Sequence, residues 1–82
     1  MNKPTKKFGE TVRSQRKHND LTQQQLADLS GTSLNFISQL ERGKETVRLN
    51  SLLSVLNVLG LEFFLRKGKN LISISNDMSH EE

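Results

Sequence analysis

Residues 31–43, GTSLNFISQLERG, carry hydrogen-bonding side chains at spacings that place them together on one face of a short helix. Phe36, Ile37 and Leu40 lie at i, i+1 and i+4 and therefore share the opposite, apolar face. The outward positions are Leu34, Asn35, Ser38, Gln39 and Arg42. Amides and hydroxyls donate and accept hydrogen bonds, so this face is suited to reading a surface that displays both kinds of group.

The chain shows no arrangement of residues that is typical of a catalytic, cofactor or metal site. It contains no cysteine, and its five glycines match neither a dinucleotide fingerprint nor a phosphate loop. His18 and His80 are far apart in sequence, and the carboxylates are scattered. The sequence therefore predicts a protein that is not an enzyme and that uses no cofactor and no metal.

Length and composition predict one small domain. With 82 residues, 33% of them hydrophobic and only four Phe as aromatic bulk, a single core is close to the lower limit of stability. Oligomerisation is a reasonable expectation for such a chain. The lack of Cys fits a cytoplasmic protein, and no signal peptide or apolar run of membrane-spanning length is visible.

Basic residues are concentrated in two parts of the chain. The formal net charge is +3, but residues 1–20 and 42–69 are more basic than this value suggests because the last residues are acidic. A polyanionic partner is one interpretation of this pattern, and an ordinary lysine-rich surface is the other.

Periodicity predicts two helices before the quoted segment. The first runs from about residue 6 to residue 18, with Phe8 and Val12 on its inner side. The second follows Thr22, which can form a capping box with Gln25, and it ends near Gly31. Its predicted inner face consists of Leu26, Ala27 and Leu29.

The quoted segment forms the third helix, with Ser33 as its N-cap and Gly43 at its end. A fourth helix ends at Gly60, and Asn50 is its candidate N-cap. Its apolar residues at helical spacing are Leu49, Leu52, Leu53, Leu56 and Leu59. The prediction is thus a mainly α fold of four to five short helices.

After the fourth helix the period changes to the alternation of a strand. Every second residue of the segment 61–66, beginning with the first, is apolar, residues 67–70 are of turn-forming types, and residues 71–75 form a short segment rich in β-branched residues. This pattern is compatible with a single strand or with a hairpin. We expect residues 1–60 to form the helical domain, residues 61–75 a β element that contributes to dimerisation, and residues 76–82 a flexible acidic tail.

The second and third helices have the spacing of a helix-turn-helix unit. Counting from Gln23, the small Ala27 is fifth, Gly31 in the turn is ninth, and the apolar Ile37 is fifteenth. Ala27 allows the helices to cross closely, Gly31 can adopt a left-handed conformation, and Ile37 fills the angle between the helices. The alternative is an ordinary small helical bundle.

The segment LTQQQLADLSGTSLNFISQLERGKETVRLNSLLSVLNVLGL, residues 21–61, resembles the lambda-repressor-like (Xre) DNA-binding domains. Within it, ERGKETVRLNSLLSVLNVLGLE is similar to the HipB-type antitoxins, which partner HipA-type serine/threonine kinase toxins. This resemblance implies a helix-turn-helix fold, double-stranded DNA as the partner, and a role in transcription regulation.

In a helix-turn-helix unit, the first turns of the second helix enter the major groove. The predicted base-reading residues are Ser33, Leu34, Asn35, Ser38 and Gln39. The family positions single out Leu34, Asn35 and Gln39 among them. Leu34 could meet a thymine methyl group or serve packing, while Gln39 could instead be an ordinary solvated residue.

Phosphate contacts are predicted where backbone N–H groups or cations border this helix. The candidates are Thr22, Gln23, Arg42, Lys44 and Arg48. Each cation could alternatively be a solvated surface charge. Arg16 and Glu41 resemble the internal salt bridge of the family, so we expect them to be structural.

The sequence therefore predicts a DNA-binding repressor that acts as a homodimer on a palindromic operator. The predicted dimer interface comprises Leu52, Leu56, Leu59, Leu61, Phe63 and Leu65. The HipB-type resemblance implies an antitoxin with a HipA-like kinase partner. A stand-alone repressor and a helical adaptor that binds no DNA are the alternatives.

Overall fold

A computed structural model of the chain describes residues 4–65 and 72–75. Four helices precede two strands in these ranges. The helices are α1 (Pro4–His18), α2 (Gln23–Ser30), α3 (Leu34–Glu41) and α4 (Leu49–Leu59), and the strands are β1 (Glu62–Leu65) and β2 (Ile72–Ser75). The predicted mainly α fold with a C-terminal β element is confirmed.

The helix ends follow the local sequence signals closely. Thr22 and Gln25 form a complete capping box at the start of α2, and the Ser33 hydroxyl accepts a hydrogen bond from Phe36 N at 3.0 Å. Gly31 ends α2 at φ +71°, a left-handed conformation that glycine adopts without a Cβ penalty. These caps limit the α2–α3 connection to three residues.

The start of α4 differs from the prediction. Its N-cap is Arg48, which makes no side-chain capping bond, and Asn50 already lies inside the helix. The prediction of Asn50 as the cap was therefore wrong, because α4 begins one residue before it with Leu49.

The core lies where the inner faces of the four helices meet. Among residues 4–64, whose burial the structure describes, ten hydrophobic residues are buried: Val12, Leu26, Ala27, Ile37, Leu40, Leu52, Val55, Leu56, Leu59 and Leu61. Leu29, Leu49 and Leu53 are instead 63%, 55% and 41% exposed. The predicted inward orientation of Leu29 on α2 was therefore wrong. On α4 the side with Val55 faces the core, and Leu49 and Leu53 lie on its flank.

The β element is a two-stranded antiparallel sheet in which Phe63 is paired with Ile74. One edge of β1 is thus occupied by β2 of the same chain. That edge is therefore not available for pairing with a second subunit, as a dimerisation role of this β element through it would require. The predicted turn at 67–70 and the tail at 76–82 lie outside the described residues.

Candidate nucleic-acid interface

The helix-turn-helix unit is closed by two residues without solvent exposure. Ala27 on α2 and Ile37 on α3 are both 0% exposed and belong to the same core cluster. The small Ala27 permits close packing, and Ile37 occupies the angle between the two helices. This packing buries one face of α3 against α2 and leaves its opposite face accessible to solvent.

A buried ion pair holds the far end of α3. Arg16 Nε lies 2.6 Å from Glu41 Oε2, and Arg16 Nη2 donates to Glu41 Oε1 at 3.1 Å. Arg16 Nη1 also donates to Leu21 O at 2.7 Å. The guanidinium group of Arg16 therefore links α1 both to the α1–α2 connection, through Leu21 O, and to Glu41, the last residue of α3.

Gln23 extends this network to the start of α2. Its Nε2 donates to Glu41 Oε1 at 3.1 Å. The phosphate contact predicted at Gln23 involves its backbone N–H, whereas its side chain makes this internal bond. Periodicity could not reveal this bond, because the two residues are brought together only when α2 crosses α3.

At the start of α2, the backbone N–H of Thr22 is already bonded, but two other backbone N–H groups are available to a ligand. Thr22 N donates to the Gln25 side chain at 2.8 Å, so the expectation of a free N–H group at Thr22 was wrong. The first intrahelical bond runs from Leu26 N to Thr22 O. The N–H groups of Gln23 and Gln24 precede it and have no intrahelical acceptor, which suits an anion.

The predicted base-reading residues lie along the outer side of α3. Ser33, Leu34 and Asn35 are exposed at its start, while Ser38 and Gln39 are half-buried further along. Leu34 is 45% exposed, so it does not serve core packing. The structure thus brings these five side chains to one helix, with the amide of Asn35 nearest its N-terminal end.

Exposed cations flank this helix. Arg42, Lys44 and Arg48 are all exposed. Arg13, which is not among the predicted phosphate contacts, is exposed on α1 and borders one surface depression together with Arg42 and the start of α2. Its charge alone did not distinguish it from the other basic residues among residues 1–20.

Two glycines permit close backbone contacts around α3. A Cβ at Gly9 on α1 would approach Leu40 O and would lie 2.7 Å from Glu41 O. A Cβ at Gly43 would lie 2.8 Å from Lys6 Cα, and Gly43 has φ +87°. The role of Gly9 was not predicted, because a lone glycine in a helical pattern does not name its neighbour.

The predicted dimer interface requires correction. Leu52, Leu56, Leu59 and Leu61 are 1–6% exposed within a single chain, so they form its own core and cannot supply a dimer surface. Phe63 is half-buried and its ring centroid lies 6.2 Å from that of Phe8. The side chain of Leu65 lies outside what the structure describes.

Within the described ranges, no group of three or more His, Asp or Glu side chains could hold a metal ion. The same ranges contain no helix that is long and apolar enough to cross a membrane.

Comparisons with known proteins agree with this geometry. Residues 12–65 match the model of the HTH_3 helix-turn-helix family. An uncharacterized HTH-type transcriptional regulator of Sinorhizobium fredii, y4mF, is 43% identical over 53 residues, which cover 65% of this chain and 70% of that protein.

Two solved structures are similar to the chain in both sequence and fold. The restriction-modification controller protein C.AhdI from Aeromonas hydrophila is 34% identical with a TM-score of 0.63, covering 67% of this chain and 80% of that one. The clp gene regulator ClgR from C. glutamicum is 33% identical with a TM-score of 0.65, covering 73% of this chain and 78% of that one. The chain therefore belongs to the HTH_3 helix-turn-helix family, whose members are DNA-binding transcriptional regulators rather than enzymes.

Proposed function

We propose that the protein is a sequence-specific transcriptional repressor that binds a palindromic operator as a homodimer. One observation carries the proposal: α3 presents Asn35, Ser38 and Gln39 outward while its other face is held by Ile37 and the Arg16–Glu41 pair. A helix fixed on one side and rich in hydrogen-bonding groups on the other is suited to the major groove.

The base-reading set in this proposal is Ser33, Leu34, Asn35, Ser38 and Gln39. An exposed Asn35 amide can make two hydrogen bonds to adenine, and an exposed Leu34 can contact a thymine methyl group. The Ser33 hydroxyl accepts the bond from Phe36 N and retains its own proton, so it can still donate to an acceptor on a base.

The phosphate contacts in the proposal surround α3. They comprise the N–H groups at the start of α2, contributed by Gln23 and Gln24 in place of Thr22, and the exposed cations Arg13, Arg42, Lys44 and Arg48. Such groups orient the domain on the duplex and bind all sequences alike.

A dimer is needed because a single α3 spans too few base pairs for selective binding. Half-sites of a two-fold dimer lie about 34 Å, or a multiple of that distance, apart. We assign the dimer contact to Leu49 and Leu53, which are exposed on adjacent turns of α4. The helix carries no charged residue, so two copies can meet without like-charge repulsion.

A second, finer proposal is that the repressor is the antitoxin of a HipA-like serine/threonine kinase. The resemblance of residues 41–62 to HipB-type antitoxins supports it. The alternative is a stand-alone regulator, and the similarity to the clp gene regulator ClgR supports that alternative. Co-purification with a kinase encoded by a neighbouring gene would favour the antitoxin, whereas a gene neighbourhood without one would favour the stand-alone regulator.

Selection of bound duplexes from a random library tests the main proposal. We expect an enriched palindrome, and an affinity for it that falls ~10³-fold or more between 50 and 200 mM salt. Enrichment of no sequence, or an affinity insensitive to salt, would show that the chain is not a sequence-specific DNA-binding protein.

A further inference from the structure

Gln39 and Lys44 are joined by two hydrogen bonds at the end of α3. Lys44 N donates to Gln39 O at 3.0 Å, and Lys44 Nζ donates to Gln39 Oε1 at 3.1 Å. The intervening Gly43 has φ +87° and donates to Leu40 O at 3.0 Å. This pattern is a Schellman turn, which returns the chain so that Lys44 lies beside the last turn of the helix.

The turn is held in place from outside as well. At Gly43 even an added Cβ would come within 2.8 Å of Lys6 Cα, so the backbone packs directly against α1. The fold therefore holds the backbone of Lys44 next to that of Gln39.

The ammonium group determines how the Gln39 amide is oriented. A lysine ammonium has three donors and no acceptor, so the amide oxygen must be the atom that faces it. Rotating the amide would place its NH₂ group against the ammonium. Gln39 is thereby left with the two donors of Nε2 for a ligand on the other side, while the remaining lone pair of Oε1 lies beside the ammonium.

This orientation alters which base Gln39 can read. Bidentate recognition of adenine requires both the oxygen and the nitrogen of the amide. The oxygen already accepts from Lys44 Nζ, so an adenine N6 amino group that bonded to its second lone pair would lie beside the ammonium charge, which disfavours it. The Gln39–Lys44 pair therefore favours a base edge that presents acceptors, since Gln39 Nε2 and the ammonium both donate. Among the four bases, guanine is the one that presents two acceptors, N7 and O6, and no donor on its own major-groove edge.

We propose that the Gln39–Lys44 pair reads a guanine in each half-site, and that Lys44 determines base specificity in addition to supplying positive charge. The inference rests on the proposed function, since it deepens the assignment of α3 to the major groove. Gln39 and Lys44 border the same surface depression as Ser33 and Arg48, which places the pair beside the other proposed DNA contacts.

The test is a selection of bound sequences from a random duplex library with four proteins. These are the unmodified chain, Lys44→Met, Lys44→Arg and Arg42→Met. Met removes the ammonium group and approximately keeps the length of the side chain, and Arg keeps a charge that only donates. Arg42→Met is the matched control, because Arg42 is an exposed cation on the same side whose backbone, not its side chain, forms the helix-end bonds.

The unmodified protein should prefer guanine over adenine about tenfold at one half-site position. Lys44→Met should shift that position toward adenine, because the freed amide can then bond to it in a bidentate manner. Lys44→Arg should retain guanine, and Arg42→Met should weaken all sequences alike with unchanged preferences.

Two contrary results are distinguishable. If the unmodified protein enriches a palindrome but Lys44→Met retains the same preference at every position, the inference is overturned and the repressor proposal stands. If the unmodified protein enriches no sequence, the repressor proposal fails and this inference fails with it.

Discussion

Arg16 on α1 and Glu41 on α3 form a buried ion pair with two hydrogen bonds, of 2.6 Å and 3.1 Å, on the inner side of α3. Their residues are each only 8% exposed, so neither charge can be solvated if the other is removed. The pair determines how the C-terminal end of α3 sits on the domain.

Arg16→Met should therefore be strongly destabilising. It leaves the Glu41 carboxylate buried without its cation, which typically costs ~3–5 kcal/mol in the free energy of unfolding. Urea denaturation followed by circular dichroism measures the change. The double variant Arg16→Met/Glu41→Leu should be more stable than the single one, and a double variant that is less stable would contradict this explanation.

Gly9→Ala should lower stability although alanine favours helices. Helix propensity alone predicts a gain of about 1 kcal/mol. The added Cβ would lie 2.7 Å from Glu41 O, so α1 and α3 must move apart at a cost of roughly 1–3 kcal/mol.

The matched control for Gly9→Ala is Ser14→Ala, at an exposed position of the same helix, which should change the free energy of unfolding by less than about 0.5 kcal/mol. Thermal melts of both variants decide the matter. A more stable Gly9→Ala protein would show that α1 and α3 do not pack as closely as described.

Asn35→Ala and Arg48→Ala should separate base reading from phosphate contact. Both residues are exposed, so neither change should affect folding. Asn35→Ala should relax preference at one operator position by ~1–3 kcal/mol, while Arg48→Ala should weaken binding to all sequences and reduce the salt slope. Titrations against single-position operator variants measure both effects, and the reverse pattern would exchange the two roles.

Leu53→Glu should weaken dimer formation without affecting folding, whereas Leu56→Ala should destabilise the fold. Leu53 is 41% exposed, so a charge there should shift sedimentation toward the monomer and preserve the melting transition. Leu56 is 1% exposed, so its truncation should cost ~2–5 kcal/mol of stability. If the sedimentation profile of Leu53→Glu is unchanged, the exposed side of α4 does not form the dimer contact.

Short-range signals were sufficient for the elements and for the motif. The capping box of Thr22 and Gln25, the Ser33 cap and the left-handed Gly31 each depend on residues within three or four positions of one another. The spacing of Ala27 and Ile37 spans ten positions, but it too lies within one continuous stretch of the chain. Such features are decided by local backbone geometry, which the sequence by itself contains.

Only the tertiary structure decided which of the leucines on α4 are buried. A leucine stripe on α4 is wider than the contact that α1, α2 and β1 make with it, so periodicity could not distinguish the buried Leu56 from the exposed Leu53. The same limit concealed the bond from Gln23 to Glu41 and the backbone approach at Gly9. These depend on how helices distant in sequence cross, because side chains far apart along the chain meet only after packing has fixed that crossing.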